Sequence, residues 1–162
     1  MAAQSFRAGV VMVVRREDGA LLVCERADAP GSWQLPQGGV DPKETPVAAA
    51  WRELGEETGL SSADVTLVSE LPDWIAYEWP PELRTATKKF GDSVRGQVQK
   101  WFLFGVLPPT DGSDDGHAHH LTPEVDGREF RAWTWMQPHD VVDTVIEWRR
   151  DAYRRAFSRL LP

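Results

Sequence analysis

The run from Gly38 to Leu60, GGVDPKETPVAAAWRELGEETGL, constrains this chain more than any other stretch. Thr45-Pro46 reads as a helix start, a hydroxyl to cap free N–H groups followed by a proline at the first helical position. Gly59 after Thr58 reads as the stop, since glycine accepts the left-handed conformation there. Between them Val47, Ala50, Trp51 and Leu54 fall at i, i+3, i+4, i+7 and make one apolar stripe. Glu53, Glu56 and Glu57 fall at i, i+3, i+4 on another face. Three carboxylates so spaced repel one another and raise each other's pKa unless a cation neutralises them. Mg²⁺ suits such a site, because it takes a few carboxylates, water and phosphate oxygens. Glu44, just before the helix, braces the turn or joins the metal shell, and Arg52 can steady the cluster by pairing with a carboxylate. Gly38-Gly39 predict a tight loop where backbone approaches a ligand closely.

The ordinary reading of a glutamate-rich helix is a solvated face. The wider pattern argues against it here. Gly38, Glu44, Arg52, Glu53, Leu54, Glu56, Glu57, Gly59 and Leu60 fill every fixed position of G-x5-E-x7-R-E-U-x-E-E-x-G-U, with U a bulky aliphatic. This strongly resembles the signature of the Nudix hydrolases. The resemblance implies hydrolysis of a nucleoside diphosphate linked to another group, with Mg²⁺, Mn²⁺ or another divalent cation as cofactor.

Length and charge set the outer limits. At 162 residues the simplest organisation is one domain, 1–162, with one core. The single cysteine, Cys24, rules out an internal disulfide and fits a cytoplasmic protein. The N-terminal MAAQSFRAG lacks the apolar region of a signal peptide, and no apolar run is long enough to span a bilayer. No membrane and no obligate protein partner are therefore expected. A net charge of −7 disfavours general attraction to polyanions such as double-stranded DNA. A polyphosphate would have to be held by metal ions and local Arg or Lys groups, at one spot.

Along the chain, residues 8–14 (AGVVMVV) read as a buried strand, 15–19 as a hairpin turn and 21–25 (LLVCE) as the next strand. A loop over 27–32 leads to a short strand at 33–35. Past the helix, 65–69 and 71–79 read as strands, the second with Ile75, Tyr77 and Trp79 on one face. Residues 80–93 read as a mobile loop, 97–107 as a strong strand, 108–127 as a loop and 129–136 as the last strand. Pro138 opens one long helix to about Leu160, with Val141, Val145, Trp148, Ala152 and Ala156 as its core stripe and Arg149, Arg150, Arg154, Arg155 and Arg159 making the rest basic. His117, His119 and His120 sit among Gly, Asp and Ser and read as a solvated insertion, not a zinc site. Mixed strands with two main helices predict an α/β fold, an α/β/α sandwich around a mixed central β-sheet. The Nudix fold is similar to that arrangement.

Four stretches outside the signature resemble one subgroup, the bacterial RNA pyrophosphohydrolases and related dinucleoside polyphosphate hydrolases. They are Ser32–Gly39, Gly96–Phe102, Glu129–Trp135 and Arg149–Arg155. The resemblance implies a 5′-triphosphorylated RNA, cut to a 5′-monophosphate as a step in mRNA decay, or a dinucleoside polyphosphate, as the substrate. It assigns metal binding to the Gly38 carbonyl, Glu53, Glu56, Glu57 and Glu129, with Glu124 a rival to Glu129. It assigns catalysis to Glu53, Glu56, Glu57 and Arg52, with either Glu53 or Glu56 taking the proton. It places Arg26, Ser32, Tyr77, Lys100, Ile146, Trp148 and Arg149 near the substrate. Each has a plainer reading beside it: Lys100 snorkelling to solvent, Arg26 a surface charge, Tyr77 a half-buried strand residue, Trp148 simple packing. A catalytically silent nucleotide sensor is the contrasting class, and the full set of acids speaks against it.

Overall fold

The computed structural model describes residues 4–86, 93–110, 112 and 121–162. The elements are β1 (Ser5–Arg15), β2 (Leu21–Arg26), β3 (Trp33–Gln34), β4 (Gln37–Gly39), α1 (Pro46–Thr58), β5 (Val65–Glu70), β6 (Ile75–Glu78), α2 (Pro81–Ala86), β7 (Val94–Val106), β8 (Phe130–Met136), α3 (Pro138–Thr144) and α4 (Glu147–Leu160). The predicted histidine loop, His117 to His120, lies outside the described residues.

Two central strands set the frame. β1 and β7 run parallel, in register from Phe6↔Gly96 to Arg15↔Gly105. Every other pairing among the described residues is antiparallel: β5 and β6 on β7, β2 and β4 on β1, β3 and β8 on β2. Both faces of the central strands are covered, which is why their sequences read as unbroken apolar runs. Val11, Val13, Trp101 and Leu103 point to a core closed by α3 and α4, through Val141, Ala152, Tyr153, Ala156 and Phe157. Val10, Met12, Val14, Phe102 and Phe104 point to a second core closed by α1, through Ala49, Ala50 and Leu54. The α/β/α sandwich with a mixed sheet is therefore the fold.

Several boundaries differ from the sequence reading. Gly38-Gly39 do not form a loop; they belong to β4, paired with Val10 and Gly9 of β1. Their lack of side chains serves protein groups. A Cβ on Gly38 would fall 1.9 Å from the Glu53 carboxyl carbon, and one on Gly39 2.5 Å from an Arg7 guanidinium nitrogen. On α1, Val47 is 36% exposed, while Glu57 and Thr58 join Ala49, Ala50 and Leu54 in the buried set. Periodicity of apolar residues cannot reveal a buried glutamate. Residues 80–93 do not form a plain loop, because α2 occupies the first part, and of the predicted 71–79 strand Ile75–Glu78 forms β6, while the Leu71 and Trp79 N–H groups each donate to a β7 carbonyl.

The long C-terminal helix is two helices. Val145 and Ile146 are extended, with ψ of 150° and 138°. The β-branched run at the junction, Thr144-Val145-Ile146, is a weak helix former. Arg150 spans the break and donates to the Asp143 and Val145 carbonyls, each at 3.1 Å, acceptors that a helix end would otherwise leave open. The helix caps at 45 and 59 match expectation. Thr45 Oγ1 accepts from Ala48 N–H at 3.3 Å, and Gly59 has φ of 71°.

Gly96 marks where β6 meets β7. A Cβ there would lie 2.0 Å from the Tyr77 carbonyl oxygen and 2.8 Å from Glu78 Cα, both backbone atoms that cannot swing aside. Gly96→Ala is expected to cost about 2 kcal/mol, a fall of roughly 5 °C in Tm, read by thermal denaturation.

Candidate active site

Arg52 fastens the acidic helix to the sheet. Its Nε and one terminal nitrogen fork onto Glu44 at 2.8 and 2.9 Å. The other terminal nitrogen donates to Glu53 at 2.9 Å and to Glu56 at 3.3 Å, and a further bond reaches the Gly39 carbonyl at 2.9 Å. Glu44 also accepts from the Asp41 N–H at 2.9 Å. Of the two roles open to Glu44, bracing is the one it fills. The Arg52 guanidinium holds the Glu44 carboxyl down at about 2.

The remaining acids have little such support. Glu57 is 3% exposed, yet it sits on the helix face that meets the sheet. Its Oε2 accepts the Gln37 N–H at 3.0 Å, while Oε1 is buried without a partner. Burial above all, then the charges of Glu129 and Glu53, pushes its carboxyl up to about 10. Burial also raises Glu53, against the pull of Arg52. Glu129, immediately before β8, is raised by burial and lowered by Arg26. Glu56 stays open to solvent, with a side chain 60% exposed. Glu124 lies elsewhere: its N–H donates to the Thr58 carbonyl at 2.8 Å, at the end of α1. Glu129, not Glu124, shares the field of the buried acids.

These carboxylates share one field without converging. Among the described residues, no three His, Cys, Asp or Glu side chains form a ready cage for an ion. Each instead takes the partner at hand: Arg52 for Glu53 and Glu56, the Gln37 amide for Glu57. The donor set still fits a hard divalent cation. It offers carboxylate oxygens only, and the orphaned Oε1 of Glu57 lacks the positive partner that a buried carboxylate requires.

The predicted substrate residues are only partly gathered. Arg26, the last residue of β2, lies in the field of Glu129 and Tyr77, with its guanidinium forked onto Asp28 at 2.8 and 2.7 Å. Ser32 is half-buried, and its carbonyl accepts the Arg26 N–H at 2.9 Å. Tyr77 is not an open stacking surface: it is 7% exposed, donates to Gln97 Oε1 at 3.1 Å and faces the Arg149 guanidinium at 5.8 Å. Arg149 is not a surface cation either. It is 8% exposed and donates to Gln34 Oε1 at 2.6 Å. The α4 stripe carries it inward beside Tyr153, one turn along. Trp148 packs against the α3/α4 core, and Ile146 is half-buried at the start of α4. Lys100 donates to the Pro72 carbonyl at 2.8 Å, the snorkelling arrangement.

The sequence reading missed a buried polar layer. Gln99 Nε2 donates to Gln97 Oε1 at 2.9 Å and to Gln37 Oε1 at 3.3 Å, and Gln37 N–H reaches Glu57. The signal was present: Gln97 and Gln99 recur with period two in a strand otherwise built for burial. Arg7 also went unnoticed; its charge lowers the Glu129 carboxyl.

The NUDIX domain profile matches residues 5–157. The chain belongs to the Nudix family. Nudix relatives match nearly its whole length. Nudix hydrolase 25 of Arabidopsis thaliana is 36% identical, over 94% of this chain and 85% of that protein. An RNA pyrophosphohydrolase of Cereibacter sphaeroides (strain ATCC 17029) is 37% identical, over 95% of this chain and 88% of that protein. The E. coli dihydroneopterin triphosphate pyrophosphohydrolase shares the fold at a TM-score of 0.71, with 22% identity over 95% of this chain and 97% of that one. A C. elegans Ap4A hydrolase does so at 0.67, with 20% identity over 96% and 97%. This Nudix protein is a hydrolase of pyrophosphate bonds, a class that generally uses divalent cations.

A groove of about 710 Å³ beside the Nudix helix is lined by Trp51, Arg52, Gly55, Glu56, Leu60, Ser61 and Ser62. Trp51 and Gly55 are about half a helical turn round from Glu53 and Glu57. The groove takes in Arg52 and Glu56 but not Glu53, Glu57 or Glu129, whose charges act on one another and on Arg26 and mark their side of α1 as the better site.

Glu57 gives a test of this Nudix site by pH. A carboxyl raised from 4.5 to about 10 leaves the metal-free fold with stability that is full below pH 4.5 and lost as pH rises through about 10. Metal-free Tm is expected to fall between pH 6 and pH 9, and Glu57→Gln to flatten that slope. Mg²⁺ is expected to raise the wild-type Tm at pH 8 and to leave Glu57→Gln unchanged, by differential scanning fluorimetry.

Proposed function

We propose that this protein is a Mg²⁺-dependent RNA 5′-pyrophosphohydrolase, one domain over 1–162, that converts the 5′-triphosphate end of RNA to a 5′-monophosphate and so promotes mRNA decay in the cytoplasm. The observation that carries the hydrolytic part is the buried Glu57, with an orphaned oxygen, in the field of Glu53 and Glu129. The choice of RNA rests on the relatives named RNA pyrophosphohydrolase, at 32% to 37% identity over 94% or more of the chain.

The Gly38 carbonyl, Glu53, Glu56, Glu57 and Glu129 would hold the cations. When bound, these would neutralise the polyphosphate and lower the pKa of a water. Arg52 fixes Glu53 and Glu56 relative to β4. Glu53 is the better proton acceptor of the two candidates, because burial raises its carboxyl toward the working pH while Glu56 stands in solvent. Arg26 would take a phosphate in its fork, and Arg7 adds positive charge near Glu129. Ser32 would set the loop that follows Arg26. Tyr77 and Arg149 are buried, Trp148 packs against the core, Ile146 caps α4, and Lys100 holds the Pro72 carbonyl.

Purified protein with Mg²⁺ is expected to release 5′-monophosphate RNA from triphosphorylated RNA faster than it cuts diadenosine tetraphosphate to ATP and AMP. The reverse order would move the assignment to a dinucleoside polyphosphate hydrolase. Glu53→Gln and Glu56→Gln are each expected to lower kcat by about 100-fold or more while circular dichroism stays native. Unchanged turnover in either would remove that residue from the chemistry, and turnover of neither substrate by the wild type would restore the nucleotide-sensor reading.

A further inference from the structure

Arg26 does not present an empty fork. Nε and a terminal nitrogen both donate to the Asp28 carboxylate, at 2.8 and 2.7 Å. Two parallel bonds to one planar anion are also what a guanidinium makes with a phosphate. The pair is built locally, two residues apart, at the start of the loop that joins β2 to β3. That loop start is anchored: Arg26 N–H donates to the Ser32 carbonyl at 2.9 Å, and Ala27 N–H to the Glu129 carbonyl at 2.8 Å. Asp28 therefore stands close to Glu129, and its charge raises that carboxyl.

The pair is also easily opened. The Arg26 and Asp28 side chains are 36% and 66% exposed. An exposed ion pair contributes little to stability, so exchanging Asp28 for another anion has a small cost. A polyphosphate carrying several negative charges, with cations beside Glu129, would outbid a single carboxylate for the same two N–H groups.

We propose that Asp28 is an internal stand-in for a substrate phosphate, which occupies the Arg26 fork in the free enzyme, is displaced as the polyphosphate enters, and thereby sets KM. The proposal rests on the reading of Arg26 as a phosphate-binding residue. Asp28 makes its side-chain bonds to Arg26 and none to Glu53, Glu57 or Arg52, and it reaches Glu129 only through its charge. Its main influence is therefore the competition at one guanidinium.

The test is a double-mutant cycle on the full chain with Mg²⁺, comparing wild type, Asp28→Asn, Arg26→Gln and the double variant. Steady-state hydrolysis of triphosphorylated RNA is read alongside calorimetric binding of inorganic tripolyphosphate, a probe that does not depend on the end group. Asp28→Asn is expected to lower KM by about two- to fivefold, the size of an exposed pair, with kcat and Tm unchanged. Tripolyphosphate should bind tighter by a similar factor. Arg26→Gln should raise KM, and in that background Asp28→Asn should have no effect. A gain that persists without Arg26 would mean general charge repulsion and would overturn the proposal. So would an unchanged or raised KM in Asp28→Asn while Arg26→Gln still weakens binding; Arg26 would then remain a phosphate ligand that Asp28 merely positions. If Arg26→Gln leaves both KM and tripolyphosphate binding unchanged, the reading of Arg26 fails and the proposal fails with it.

Discussion

The architecture depends on keeping several carboxylates beside the sheet without their repulsion pushing α1 away. Arg52 does most of this. Through one guanidinium it ties Glu44, Glu53 and Glu56 to the Gly39 carbonyl, so that helix, preceding turn and β4 move as one body. The tie needs β4 to come close, and Gly38 permits that closeness, because any side chain there would collide with the Glu53 carboxyl. One cation and one missing Cβ therefore place the acids, and the acids give the cleft its chemistry.

Glu57 is the part left unresolved by that arrangement. Arg52 does not reach it, and one amide N–H cannot compensate a buried negative charge. The fold thus stores an electrostatic cost that a proton relieves. A metal ion bound at Glu57 would relieve it too, and would couple metal affinity to fold stability through the same oxygen. The glutamines of β4 and β7 belong to this logic. They are buried beside Glu57 and hydrogen-bond without charge, so that they do not add to the repulsion.

The cations singled out in the sequence as substrate-binding are already engaged. Arg26 holds Asp28, Arg149 holds Gln34 beneath the Tyr77 ring, and Lys100 holds a backbone carbonyl. With these cations paired and a net charge of −7, the chain offers little loose attraction to nucleic acid in bulk.

The sequence by itself determined the helix and its two caps, the central apolar strands, the acids and the glycine that face each other across the signature, and through them the family. Each of these is a local matter of spacing or of backbone conformation, and local rules suffice for it. Only the tertiary structure decided how deep each charge lies. Glu57 and Arg149 look like surface groups in the sequence and are buried, and Tyr77 follows its plainer strand reading, because burial is set by which element packs across them. The same holds for β4, whose three residues are a strand only because β1 lies alongside, and for the break at Val145 and Ile146, which Arg150 stabilises from the next helix. The resemblance preferred Glu129 to Glu124, and the fold supplies the physical reason: Glu129 acts on the Glu57 carboxyl, while Glu124 is tied to the end of α1.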